Sequence, residues 1–126
     1  MNKEEEINAI NIQLWALIIV LFSTIISILI TYNQKLNLEK KETIFDSKES
    51  FDITLFNRIL IVVLSFIFLY VNIKLYNLSK EEGEDLKSYI LQIIASVLAI
   101  ISGLIALYVV GLSETENIVD VENPVI

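Results

Sequence analysis

ITLFNRILIVVLSFIFLYVNIKLY, residues Ile53–Tyr76, is the stretch on which the fold turns. A helix rises about 1.5 Å per residue and the hydrocarbon core of a bilayer is about 30 Å thick, so roughly 20 apolar residues cross it. The stretch is long enough, and from Ile59 to Val71 only Ser65 and the amphipathic Tyr70 interrupt its apolar side chains. A serine hydroxyl can bond back to the carbonyl one turn earlier, which makes Ser65 cheap in lipid. Arg58 and Lys74 stand near the two ends, where long aliphatic stems let a charged head snorkel to the headgroups. The expectation is a membrane-spanning helix with a cationic anchor at each end.

Arg58, Ser65 and Asn72 follow one another at intervals of seven residues and so share nearly one face of that helix. In a bilayer such a polar stripe is expected to turn towards neighbouring helices and hydrogen-bond with them, or to line a polar path in an oligomer.

Similar apolar blocks lie on either side. Ile12–Thr31 precedes the middle stretch, with Trp15 and Tyr32 near its ends as interfacial aromatics. A secretory signal would show a positive first region, a shorter apolar run and a small-residue cleavage site. Here Glu4, Glu5 and Glu6 outnumber Lys3 and no such site follows, so the block reads as an uncleaved span. Ser23, Thr24, Ser27 and Thr31 recur at helical spacing and form a small polar face suited to the middle helix.

Tyr89–Leu112 is the third span. In it Ala95, Ala99, Gly103 and Ala106 fall at spacings of four, four and three, with Ser96 and Ser102 alongside. Small side chains on one face let helix backbones approach closely, so these four mark the expected helix-packing face.

The connections are short. Residues 33–50 form the longest extramembrane loop, into which the first helix is expected to run as far as about Lys41, with Ser50 or Asp52 as N-cap of the second. Gly83 suits the left-handed position that ends a helix and Asp85 can cap the next, making a tight helical hairpin of the second and third spans. Residues 113–126 form an acidic tail with the only proline and too little apolar surface to fold alone, hence expected to be flexible. The fold class read from the sequence is therefore all-α and integral to a membrane: one domain, three transmembrane helices at about 12–31, 53–76 and 89–112, in a small bundle.

Composition narrows the function. The 126 residues are 55% hydrophobic, with the apolar residues gathered in three blocks instead of spread at core periodicity. There is no Cys and no His, which excludes disulfides, thiolate or imidazole metal sites and any mechanism needing a histidine base. Glu81, Glu82, Glu84 and Asp85 lack the spacing of a calcium loop and sit beside Lys80 and Lys87, so they read as a solvated turn. The net charge of −7 includes a tail with four acids and no cation, which argues against that tail binding nucleic acid or anionic lipid headgroups, since both attract Lys and Arg clusters. No catalytic residue, metal ligand or cofactor motif is expected.

Lys and Arg divide almost evenly between the two sides of the membrane, so the positive-inside rule does not orient the chain. Abundant Ile, Asn and Lys with few Gly, Ala and Pro point to an AT-rich genome and hence to a bacterial cytoplasmic membrane.

The partners expected are the bilayer and other membrane helices, of this chain or of another protein. The reading is a structural or accessory subunit acting by helix–helix association. The alternative is a pore-forming homo-oligomer, because in size and span count the chain resembles small phage holins, although those commonly carry a basic tail. Small proton-coupled exporters are also similar in size. They rely on an intramembrane carboxylate, and none of the three apolar blocks contains Asp or Glu.

Overall fold

A computed structural model describes residues 3–115. It contains three helices, α1 (Lys3–Leu38), α2 (Ser47–Glu81) and α3 (Lys87–Thr115), and no strand among the described residues. Each helix is long and apolar enough to cross a membrane. The tail expected from residue 113 is helical as far as Thr115, and the remainder of it lies outside the described residues.

The helices overrun the expected spans at both ends, for local reasons. Glu4, Glu5 and Glu6 occupy the first turn of α1, where carboxylates complement the helix dipole. The polar amino end is thus the start of the helix, and Ala9 within it is buried. At the other end α1 stops at Leu38, three residues short of expectation. Lys40 takes a left-handed backbone (φ 59°), and the Lys41 and Lys40 amides donate to the Leu36 and Asn37 carbonyls at 2.9 and 3.1 Å. This is a Schellman closure with lysine in the position glycine usually fills.

The start of α2 also corrects the expectation. Its N-cap is Asp46, not Ser50 or Asp52, and both of those residues are already helical. Asp46 accepts from the Glu49 amide at 2.8 Å while the Glu49 carboxylate accepts from the Asp46 amide at 3.1 Å. This capping box satisfies two end groups at once.

Asn33 fixes how the chain gets there. Its Oδ1 accepts from the Ile44 and Phe45 amides, both at 2.9 Å, and its Nδ2 donates to the Phe45 carbonyl at 3.3 Å. The loop of residues 39–46 is thereby tied back to the last turns of α1.

The α2–α3 connection is as expected. Gly83 has φ 72°, the Glu84 amide donates to the Ser79 carbonyl at 3.2 Å, and Asp85 accepts from the Lys87 amide at 3.1 Å.

α1 and α3 both pack on α2, and their backbones do not approach one another. Buried positions recur every seven residues: Ala9, Ala16, Ser23 and Ile30 on α1; Ser50, Asn57, Leu64, Val71 and Leu78 on α2; Ser96, Gly103 and Val110 on α3. A seven-residue repeat is the signature of left-handed packing at shallow crossing angles, common to coiled coils and membrane bundles.

The outward faces carry the large apolar side chains, among them Trp15 at 68% exposure, Leu21, Phe66, Ile105 and Tyr108. Water would not tolerate apolar surface on the outside of every helix, whereas lipid tails match it.

Candidate functional site: a groove between α1 and α3

Because α1 and α3 do not meet, α2 is left as the floor of a groove between them. Two side-by-side clefts occupy it. One, of about 420 Å³, lies between the Val20–Ser27 segment of α1 and Ala99 of α3, over Arg58, Ile61, Ser65 and Phe68. The other, of about 370 Å³, continues past Ser65, Phe68 and Ala99 to Asn72, Gln92 and Ala95. From Arg58 to Asn72 the floor spans fourteen residues, about 21 Å of helix.

A polar cluster clamps α1 to α2 at the Arg58 end. The Ser23 hydroxyl donates to Asn57 Oδ1 at 2.6 Å, and Asn57 Nδ2 donates to Ser27 Oγ at 2.9 Å. Asn57 is 0% exposed, so its amide is matched by protein groups instead of water or lipid. Sequence reasoning selected the Ser23–Thr31 face but missed Asn57; one asparagine opposite a row of hydroxyls was the available signal. Thr24 turns away and bonds back to the Val20 carbonyl at 2.9 Å.

The stripe of Arg58, Ser65 and Asn72 lies along the groove, and its members behave differently. Ser65 donates to the Ile61 carbonyl of its own helix at 2.9 Å. Asn72 reaches α3, donating to Ser96 Oγ at 2.7 Å and to the Gln92 carbonyl at 3.4 Å. Ser96 itself donates to the Gln92 carbonyl at 3.0 Å.

Arg58 departs from the expected anchor. At 5% exposure it is covered by its own protein instead of extending away from the bundle. It sits five residues, about 8 Å, inside the apolar stretch that begins at Ile53. It takes part in a further interaction, and its buried Nε is not engaged in a hydrogen bond. Lys74, at the opposite end of α2, is only partly covered and faces Glu5 of α1 at 3.7 Å.

The helix-packing face divides. Gly103 and Ala106 are buried, and a Cβ at Gly103 would come within 3.1 Å of Val62 Cγ2. Ala95 and Ala99 are exposed and line the groove. The surface that α3 gives to α2 is Ser96, Ile100, Gly103, Ala106 and Val110, turned by part of a residue step from the expected one. Ile100 is branched and apolar, so a search for small residues passes over it.

At the extramembrane α2–α3 turn, a hydrogen bond with the Glu82 side chain raises the Glu84 carboxyl above its ordinary value of 4.5, helped by loss of hydration and by the charges of Glu82 and Glu6. Among the described residues no three carboxylates gather in a geometry that would hold a metal ion.

Fold and groove together define a small membrane protein that crosses the bilayer more than once, its described residues forming three helices. No family model, curated protein or solved structure matches the chain.

Proposed function

We propose that this protein is a non-enzymatic structural or accessory subunit that works by packing against helices of another protein within the bilayer. The observation that carries the reading is the half-used small-residue face of α3. Gly103 and Ala106 are spent on α2, while Ala95 and Ala99 stand uncovered beside the groove. In lipid, helices associate by close packing and interhelical hydrogen bonds, for which uncovered small residues are the suited surface.

The hydroxyl chemistry supports the non-enzymatic half of the reading. Ser23, Ser65 and Ser96 give their protons to amide or carbonyl oxygens, so none is activated by a general base. The composition supports the bacterial cytoplasmic membrane as the setting.

The test is cross-linking in native membranes, followed by purification on a tag inserted in the loop of residues 39–46. A foreign protein recovered in fixed ratio, and lost on Ala95→Leu, is the expected result. Recovery of monomer alone overturns the proposal. A ladder of self-oligomers would also overturn it and move the reading to the holin-like pore.

A further inference from the structure

Arg58 is a cation inside the apolar part of a bundle, and the geometry around it points to an anionic phospholipid as a ligand. We propose that the cleft between α1 and α3 binds such a lipid, with the headgroup phosphate against the Arg58 guanidinium and the Ser27 hydroxyl. One acyl chain then lies along Ile61, Leu64 and Phe68 beneath Ala99. The inference does not depend on which protein the subunit accompanies.

Three observations carry it. The first is the cation's position. Arg58 is nine-tenths buried, lines the cleft, and lies about 8 Å inside the start of the apolar stretch, where the local bilayer thinning that accompanies an intramembrane charge can bring a lipid phosphate to it. A guanidinium offers five donors in a fixed fork, so it can serve a protein group and a phosphate together. Basic pockets between membrane helices are established takers of anionic headgroups.

The second is the hydroxyl set. Ser23 and Thr24 donate within the protein, to Asn57 Oδ1 and to the Val20 carbonyl. Ser27 is different, because its oxygen accepts from Asn57 Nδ2 and its own proton is left for an acceptor in the cleft. Asn57 thus aims a donor towards the cation's end of the cleft.

The third is shape and sign. The cleft measures about 420 Å³, within the range of ligand sites that are mostly apolar with a few placed polar groups. It lies between two helices that do not meet, so a lipid can enter sideways from the bilayer. A second copy of this chain would bring no carboxylate at this depth, since none of the three apolar blocks contains Asp or Glu.

Native mass spectrometry of the full chain, purified in detergent and offered equimolar phosphatidylglycerol and phosphatidylcholine, reads the site directly. Wild type should retain phosphatidylglycerol in preference. Arg58→Gln should lower that retention about ten-fold or more, the change expected when a charge-assisted hydrogen bond is lost. Lys74→Gln, which removes a cation far from the cleft, should leave it unchanged. Ala99→Trp fills the chain's path without touching the cation and should also lower retention; with Ser27→Ala it carries the test if Arg58→Gln loses its helical circular dichroism.

Equal retention of the two lipids, or undiminished phosphatidylglycerol in Arg58→Gln or Ala99→Trp, overturns the proposal. Displacement by millimolar inorganic phosphate would overturn the lipid in favour of a free anion. Displacement by a synthetic Leu/Ala-rich transmembrane peptide with a single Glu, but not by its Gln counterpart, would overturn it in favour of an acidic helix.

Discussion

Replacing Asn57 by leucine tests the clamp between α1 and α2. The substitution keeps the side-chain volume roughly constant while deleting the Ser23 and Ser27 hydrogen bonds, so no large cavity confounds the result. Hydrogen bonds between membrane helices contribute about 0.6 kcal/mol on average and at most about 1.7. Two of them therefore contribute about 1.2 kcal/mol, a roughly seven-fold change in the folding equilibrium. The lower end is expected, because the freed serine hydroxyls can bond back to their own helix as Thr24 does to Val20. Asn57→Ala should cost more, by about 1–2 kcal/mol, since the site is fully buried and the truncation leaves a void. Reversible unfolding in mixed micelles, read by circular dichroism, measures both. An Asn57→Leu protein as stable as wild type would refute the clamp. So would strict additivity between Asn57→Leu and the Ser23→Ala, Ser27→Ala pair, because partners in one network must couple.

Other substitutions probe the rest of the frame. The Ser23–Asn57 bond and the seven-residue repeats of the antiparallel helices place Ala16 opposite Leu64. Ala16→Leu and Leu64→Ala should each destabilise, by about 1–3 and 2–5 kcal/mol, and the double exchange should recover part of the loss in the same unfolding assay. Gly103→Ile should cost about 1–3 kcal/mol and weaken disulfide trapping between cysteines placed on α2 and α3, because even a Cβ stands 3.1 Å from Val62. Asp46→Ala removes the capping box of α2 and should cost about 1 kcal/mol, with faster amide exchange at residues 47–50 as the local sign. The Glu84 carboxyl is raised in the folded protein, so the folded state holds that proton more tightly. The stability this contributes is full below the ordinary value of 4.5 and is lost as pH rises through the raised value. Glu84→Gln should accordingly flatten the acid side of a pH–stability curve, and an unchanged curve would refute the contact with Glu82.

The spans were legible because apolar length is a direct requirement of the bilayer. The α2–α3 turn was legible too, since Gly83 and Asp85 are local signals with local consequences. The box of Asp46 and Glu49 is just as local, but it lies ahead of the apolar block, so the start of apolarity does not mark the start of the helix. Asn33 could not be read, because its partners are eleven and twelve residues away and nothing in the chain marks their approach. Arg58 was legible as part of a stripe turned towards neighbouring helices, and its 5% exposure corrects only the expectation that it snorkels outward as an anchor. A sequence gives depth by counting, whereas the direction of a side chain relative to neighbours depends on where those neighbours pack.

Direction around α2 also accounts for the groove. The seven-residue set of Asn57, Leu64 and Val71 belongs with α1 through the Ser23 bond, and the set of Arg58, Ser65 and Asn72 lies one residue further round, reaching α3 through the Ser96 bond. One residue turns a helix by about 100°, so α1 and α3 sit about 100° apart as seen down α2. Neighbouring helices pack at axial distances of 8–10 Å, so two partners set at that angle around a shared helix stand about 14 Å apart, too far to touch. A closed trio would need an angle of about 60° at the same packing distances. Ile61, Ser65 and Phe68 project into the wedge between the two directions, and these residues line the cleft. The groove thus follows from two adjacent heptad stripes on one helix, each claimed by a different neighbour.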